Sequence, residues 1–524
     1  MKDALGEAHE AVVPASERHA RGQYFTPFPV IRLVLDLCAE GMPTPRSVMD
    51  PACGSGRFLM AAQERWPRAL LLGYETDPEA LTLAGDNLPG AELKGRSFLD
   101  VRRPRRVDLL VGNPPYVRQR GKKRDLYVDF LEAAPRWLTS EGRLGLVLSS
   151  AWLDVEYGQV IRDLLVRDFA VEFIVESAAE RWFPGAKVNT MVLVARREPK
   201  RLRSPHQPVS FSEVRAPLPA EPTVVRHVLQ KDLASDRPWG PYLRAPEWWI
   251  ERWGMVARLD DLADVRRGWT TNDNGFFYPR GDAGIEDRWL RPLVKSPKEV
   301  LAVRGVAEEL PLRAFVCGSS RAELEAAGDV GALGWIDAAG RESWRLQPQR
   351  PTRQMLVKGY GDRFRQPRFD DPVHYDQQLY GLYPRDGVDE DALAAVLHSS
   401  WFGLTLELLG RVNFGDGVLW LGLRDARALP VPDLRSADPL LLEALGDAWR
   451  ALPSGAVPPV GALGLDPLWG PAVERIDALV GGLLGMSEAE SCQVLPAFAA
   501  LTARRVRKAA SRGRSSCAPE RLSA

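Results

Sequence analysis

Ser47-Val48-Met49-Asp50-Pro51-Ala52-Cys53-Gly54-Ser55-Gly56-Arg57-Phe58-Leu59-Met60-Ala61-Ala62 reads as a short apolar strand, a glycine turn and the start of a helix. Glycines in such a turn let the backbone take left-handed conformations and approach a ligand with no Cβ in the way. In α/β nucleotide-binding units this turn lies at the carboxyl end of the first strand. The dinucleotide fingerprint G-x-G-x-x-G is incomplete, because Leu59 stands where the third glycine belongs. A nucleotide-like ligand without a pyrophosphate fits this departure.

Working outward, Leu70-Leu71-Leu72-Gly73-Tyr74 reads as a second strand ending in Glu75. An acidic residue at about this distance receives ribose hydroxyls in nucleotide-binding α/β units. Val107-Asp108-Leu109-Leu110-Val111 reads as a buried strand, and Asn113-Pro114-Pro115-Tyr116 follows it. The Asn113 side-chain oxygen and the Pro114 carbonyl can accept the two hydrogens of a planar exocyclic amine. Pro114 and Pro115 fix φ and carry no competing N–H. Tyr116 offers an aromatic face on which a base can stack.

Together these motifs resemble the S-adenosylmethionine-dependent adenine-N6 DNA methyltransferases of the gamma class, found in restriction-modification systems. Gly22-Gln23-Tyr24-Phe25-Thr26-Pro27 is similar to the family's amino-terminal cofactor motif, which places Thr26 and Pro27 at the cofactor. The resemblance implies that Asp50, Pro51, Ala52, Cys53, Gly54 and Gly56 surround the methionine part of the cofactor and that Glu75 binds its ribose. Ser97-Phe98-Leu99-Asp100 departs from the usual Asp-Phe of the third motif. Phe98 is expected to pack on the cofactor adenine, with Ser97 or Asp100 making the polar contact. Asn113, Pro114, Pro115 and Tyr116 correspond to the catalytic motif, Asn113 also bordering the cofactor. Phe183, in Arg181-Trp182-Phe183-Pro184-Gly185, is expected to face Tyr116 across an extruded adenine. Leu126–Leu131 resembles the helix after the catalytic loop, and Leu144–Leu148 the strand that follows it.

The expected fold class is α/β. A Rossmann-like methyltransferase domain with a mostly parallel seven-stranded sheet precedes a mixed α+β target-recognition domain and a helical carboxyl-terminal region. The boundaries read as a flexible lead over 1–20, the methyltransferase domain over 21–235, the recognition domain over 236–435, helices over 436–503, and a basic, disordered tail over 504–524. Glu198 to Pro222 reads as a loop-rich passage. Trp239, Trp248, Trp249, Trp253, Trp269 and Trp289 crowd the opening of the second half. Leu259 to Trp269 and Gly410 to Gly417 resemble the flanks of recognition domains in the same family.

The 524 residues carry 69 basic and 69 acidic side chains, so attraction to a polyanion must come from local patches. Arg118, Arg120, Lys122, Lys123 and Arg124 follow the catalytic turn, and Arg266, Arg267 and Arg411 lie at the recognition-domain flanks. These eight are the candidate DNA contacts. The five cysteines lack C-x-x-C spacing, so neither a disulfide framework nor a zinc site is expected, and the reaction calls for no metal. No apolar run approaches about eighteen residues, and a membrane partner is not expected. The expected setting is a prokaryotic cytoplasm, on the nucleoid. The expected partners are double-stranded DNA and a separate restriction endonuclease or other defence-system subunit, since no Asp/Glu-x-Lys nuclease site stands out.

The resemblance implies methyl transfer to the N6 amine of a flipped adenine. Three rivals share features with it. Asn-Pro-Pro-Tyr also serves enzymes that methylate a glutamine side chain of release factors or act on ribosomal RNA. Cytosine N4 methylation more often carries Ser at the first motif position. A DNA-recognition subunit could bind the cofactor without catalysis.

Overall fold

The computed structural model describes residues 25–116, 125–154, 158–179, 182–183, 189–198, 204, 206–281, 283–412 and 417–510. The chain divides into two units, Met1–Ala245 and Pro246–Ala524.

In the first unit the principal elements are α1 (Phe28–Ala39), β1 (Ser47–Asp50), α2 (Arg57–Arg65), β2 (Leu70–Tyr74), α3 (Pro78–Asn87), β3 (Glu92–Lys94), β4 (Val107–Gly112), α4 (Leu126–Trp137), β5 (Leu138–Ser149), α5 (Gln159–Asp168), β6 (Phe169–Ser177), β7 (Thr190–Arg197), β8 (Pro208–Val214) and β9 (Thr223–Leu229). They build one sheet of order β3-β2-β1-β4-β5-β7-β6-β8-β9. β1 pairs in parallel with β2 and β4, and β4 in parallel with β5, while β7 is antiparallel to both β5 and β6.

Both sheet faces are covered, which is why the strands read as unbroken apolar runs. Successive strand residues point to opposite faces. Met49 and Leu110 join Tyr127, Leu131 and Trp137 of α4 on one face. Val48, Leu109 and Val111 join Val34 and Leu37 of α1 and Leu59 of α2 on the other. Each buried Leu or Val contributes roughly 1.5–3 kcal/mol relative to exposure. Asp77 starts α3 by accepting from the Glu79 and Ala80 N–H groups, with Pro78 in the first turn where its missing donor costs nothing.

The α/β class holds, but the sheet has nine strands rather than seven. β8 lies inside the stretch expected to be a loop, and β9 follows it. Pro208 is the first residue of β8, a position that tolerates its missing donor. The strand is held by parallel pairing with β6, and Val209 and Phe211 are buried although Ser210 and Ser212 alternate with them. That long-range pairing is invisible to a local pattern.

The division falls after Ala245, ten residues beyond the expected boundary. Trp239, grouped by composition with the second half, is fully buried in the first unit's core, its ring edge-on to Trp152 at 5.8 Å. Arg226 of β9 ties down the same segment by donating to the Tyr242 and Ala245 carbonyls, both at 3.0 Å.

The second unit contains a seven-stranded mixed sheet in the order Ala263–Arg267, Leu379–Pro384, Thr352–Val357, Arg368–Tyr375, Leu290–Val294 and Arg313–Phe315, with Arg304–Gly305 beside Arg368–Tyr375. Helices Glu390–Leu397 and Ser400–Leu409 follow within the stretch read as recognition domain. Pro439–Arg450, Trp469–Leu483 and Glu488–Ala510 make up most of the helical region. The last helix corrects the expected tail, because residues 504–510 are helical. Arg505 is buried and its guanidinium meets the Glu407 carboxylate at 2.6 Å, so a basic residue taken for a solvated tail is a packing element. Residues 511–524 lie outside the described residues, as does the lead over 1–20. Among the described residues no single helix is long and apolar enough to cross a membrane.

Candidate active site

β1 is the point where the strand order reverses, running through β2 to β3 on one side and through β4 to β5 on the other. Ligands of open α/β sheets bind outside the strand carboxyl ends at such a point. Two of the quoted motifs meet there, because Met49 of β1 is in register with Leu110 of β4.

The turn after β1 is fixed by its own backbone. Gly54 and Gly56 take φ values of 55° and 90°, in the region that side chains disfavour. The Cys53 N–H donates to the Tyr74 carbonyl at 2.9 Å, and the Gly54 N–H donates to Glu75 Oε2 at 2.9 Å. Glu75 Oε1 accepts from the Thr76 and Asp77 N–H groups at 2.7 and 2.9 Å. Glu75 is therefore locked at the end of β2, half-exposed, and an ionised carboxylate with about four acceptor positions retains capacity beyond these three bonds.

Asp50 is 1% exposed, and its Oδ1 accepts from the Ala52 N–H at 3.0 Å. Burial pushes its carboxyl up to about 8, the Ala52 N–H opposes this, and the Glu75 charge adds to it. Burial, with the Asp50 and Glu75 charges behind it, also pushes the Cys53 thiol up, so Cys53 is a protonated packing residue rather than a nucleophile. Gly112 stands immediately before the catalytic motif. A Cβ placed there would lie 2.7 Å from Asp50 Oδ1, so the site requires glycine at a position the sequence reading passed over.

Asn113 is held at both ends of its side chain. Its Nδ2 donates to Thr26 Oγ1 at 3.1 Å, and its Oδ1 accepts a short hydrogen bond from the Tyr116 hydroxyl, which also lies 3.2 Å from the Val147 carbonyl of β5. The Tyr116 ring stands edge-on to Tyr127 of α4, centroids 6.0 Å apart. Pro114 is buried and Pro115 half-buried. Thr26 thus fixes which end of the Asn113 amide faces Tyr116, a role beyond the expected contact with the cofactor. Pro27 begins α1, its carbonyl accepting from Val30 and Ile31. Phe25 of the same motif lies 4.8 Å from the Arg57 guanidinium at the start of α2, tying that segment to the glycine turn. Gly22 to Tyr24 lie outside the described residues.

The structure gives two of the expected aromatic residues other surroundings. Phe98 is 1% exposed, its ring stacked with Trp137 at 4.7 Å and with Phe130 at 5.4 Å, so it packs in the core instead of offering a face to a cofactor. Phe98–Asp100 forms a 3-10 turn whose start is capped by the Ser97 hydroxyl accepting from Leu99 N, while Asp100 is exposed. Phe183 is 6% exposed within the α1 and α2 face cluster, whereas Tyr116 packs against the α4 face cluster. The two rings thus belong to core clusters on opposite faces of the sheet.

Of the candidate DNA contacts, Arg118, Arg120, Lys122, Lys123 and Arg124 lie outside the described residues. Arg266 is exposed and paired with Asp264 at 2.6 Å, and Arg411 is paired with Asp425 at 2.9 Å. Arg267 is exposed and donates to the neutral Gln377 Oε1 at 2.6 Å.

Residues 1–235 match the N-6 DNA methylase family model. The chain is 27% identical over 344 residues to the Type II methyltransferase M.XamI of Xanthomonas campestris pv. amaranthicola, covering 57% of this chain and 62% of that protein. It is 30% identical over 214 residues to the Type II methyltransferase M.TthHB8I of Thermus thermophilus, covering 36% of this chain and 48% of that one. The chain thus spans less than two thirds of either relative. Among solved structures, the type IIG restriction endonuclease BpuSI aligns over 93% of this chain and 66% of its own, with a TM-score of 0.43 and 13% identity.

Proposed function

We propose that the protein is a site-specific DNA methyltransferase that transfers a methyl group from S-adenosylmethionine to the N6 amine of a flipped adenine in double-stranded DNA. Its place is the modification component of a restriction-modification or phage-defence system, alongside a separate endonuclease or defence subunit. The observation that carries this reading is the meeting of the Asp50–Gly56 turn, Glu75 and Asn113–Tyr116 at the strand-order switch. The match of this same unit to the N-6 DNA methylase model supports it.

The residues fit the cofactor. Asp50 is buried with Glu75 as its charged neighbour, an arrangement that suits a cationic ligand group. Glu75 has acceptor capacity for ribose hydroxyls, and Gly54 leaves open space where a Cβ would stand on the turn. When bound, the cofactor supplies an electrophilic methyl group on a sulfonium.

The chain's own residues position the nucleophile. A stacked, paired adenine is out of reach, so the nucleotide is extruded and its ring lies against Tyr116. Asn113 Oδ1 and the Pro114 carbonyl accept the amine hydrogens and turn the nitrogen toward the methyl group. Their dipoles stabilise the positive charge that develops on nitrogen as its bond to the methyl forms and the methyl–sulfur bond breaks to leave a neutral thioether; one amine proton then passes to solvent, and positioning supplies much of the remaining rate. Thr26 keeps the Asn113 amide from turning its donor end toward the base. The Tyr116 hydroxyl leaves Asn113 Oδ1 as the base arrives.

Asn113→Ala is expected to lower methyl transfer to duplex DNA by about 1,000-fold or more while cofactor affinity stays within about 3-fold. Labelled methyl transfer and calorimetric titration of the purified variant measure the two. Near-normal turnover by the variant overturns the assignment.

A further inference from the structure

The geometry points to Arg267 and Gln377 as the pair in the second unit that reads a guanine edge of the target DNA, an assignment that rests on the DNA-methyltransferase reading above. Three arginines at the flanks of this unit are candidates for contact, and their partners separate them. Arg266 and Arg411 are each neutralised by a carboxylate. Among the described residues Arg267 has no carboxylate at ion-pair distance, and its side chain is spent on orienting another donor.

That donor is the Gln377 amide. Gln377 Oε1 accepts from Arg267 at 2.6 Å and from the Thr270 hydroxyl at 3.1 Å, which fills both lone pairs of the oxygen and fixes which end of the amide is nitrogen. What the pair still offers is donors only, the Gln377 Nε2 hydrogens and the remaining guanidinium N–H groups. Behind them Lys358 donates from Nζ to the Gln377 carbonyl at 2.8 Å and lies 5.1 Å from the ring of the exposed Trp420. Burial, then the Arg267 charge, depresses the Lys358 ammonium, so the two cations share one locus.

The platform is rigid. Arg267 ends a strand in register with Tyr380, Trp269 N–H donates to the Tyr375 carbonyl at 3.1 Å, and Gln377 N–H returns to the Trp269 carbonyl at 2.9 Å. The Tyr278 hydroxyl and the Gln378 N–H hold the Asp376 carboxylate between them, at 2.9 and 3.1 Å. A preorganised set of donors beside an exposed indole matches an edge made of acceptors. In the major groove that edge is guanine, with O6 and N7, whereas adenine and cytosine each present an amino donor. A phosphate shares the acceptor chemistry, and the test separates the two.

Purified wild-type protein is first used to modify a plasmid library, and the methylated site is read by modified-base sequencing. Each guanine of that site is then replaced by 7-deazaguanine, which lacks N7. At one guanine the wild type is expected to lose modification rate by about 5- to 150-fold, and Arg267→Ala and Gln377→Ala should lose that sensitivity and accept other bases there. A site without a sensitive guanine overturns the assignment. So do variants that keep the wild-type site and lose affinity evenly across sequences, with a salt slope smaller by about one, which marks a phosphate contact. A wild type that modifies DNA beside variants with an unchanged site overturns this assignment alone. A wild type that modifies no DNA overturns the underlying reading as well.

Discussion

The two candidate sites are chemical opposites. At the ends of β1, β2 and β4 the first unit presents carboxyl and amide oxygens: the buried Asp50 carboxyl, the Glu75 carboxylate and Asn113 Oδ1. Where three strands of its sheet end, the second unit presents donors: Arg267, the Gln377 amide and, behind them, Lys358. One set suits an ammonium, ribose hydroxyls and an adenine amine, the other a ring edge made of oxygen and nitrogen lone pairs. The difference teaches that what a side chain can offer depends on what its neighbours have already taken. Arg266 and Arg267 are adjacent and identical in type, yet only Arg267 keeps a charge that no carboxylate neutralises among the described residues.

The sharpest way to break this contrast is to remove a single acceptor. Asn113→Ala carries the largest expected effect, the loss of about 1,000-fold in turnover given above, with no change in the DNA site bound. Arg505→Ala tests the converse, a charge whose partner is already present. Breaking the buried Arg505–Glu407 pair should cost about 3–5 kcal/mol of the second unit's stability without altering sequence preference. Thermal denaturation followed by modified-base sequencing of a permissive-temperature reaction checks both halves. A relaxed site in that variant would erase the distinction between structural and reading arginines.

Asp50→Asn comes next. The ligand-free protein holds this carboxyl protonated and a bound cation would draw it into its ionised form, so its loss should weaken cofactor binding roughly 10- to 100-fold. The sign of the pH effect follows from the raised carboxyl. The folded protein holds a proton on Asp50 up to about pH 8, whereas the unfolded chain releases it near its ordinary value of about 4. Stability of the ligand-free wild type therefore falls as pH rises through that window, by about 1.4 kcal/mol per unit at most, and Asn removes that slope. Melting temperatures of both proteins from pH 5 to 8 measure it, and parallel curves would show that Asp50 is ionised throughout. Tyr116→Phe should have the smallest effect. It frees Asn113 Oδ1 while keeping the ring, so KM for DNA should change by no more than about 3-fold, downward, with kcat retained.

Much of the first unit was legible because its chemistry is local in sequence. The glycine turn, Glu75 at a strand end and the Asn-Pro-Pro-Tyr corner each lie within one strand–loop–helix segment, and β1, β2 and β4 follow from short apolar runs. What escaped depends on contacts between distant residues. β8 exists by pairing with β6, Phe98 is claimed by Phe130 and Trp137 of α4, and Thr26 holds Asn113 across 87 positions of chain. The Gly112 requirement arises from Asp50 on the neighbouring strand. In the second unit the helix through Ala510 was hidden because Arg505 looks like a solvated charge until Glu407 is placed beside it. The Gln377 amide carries no local signal, since only its two donors, Arg267 and Thr270, mark it.

The hydroxyl of Tyr116 on Asn113 Oδ1 has a bearing on errors. On the proposed reading the corner is never bare, so loading a base is a swap in which one hydrogen bond replaces another. An adenine repays the eviction with the hydrogens of its amine. A thymine pushed into the same place has no exocyclic amine, cannot give hydrogens to both Asn113 Oδ1 and the Pro114 carbonyl, and is returned to the helix in favour of the tyrosine. Discrimination would then begin before any methyl group moves, with the protein's own phenol acting as the competitor that each visiting base must outbid.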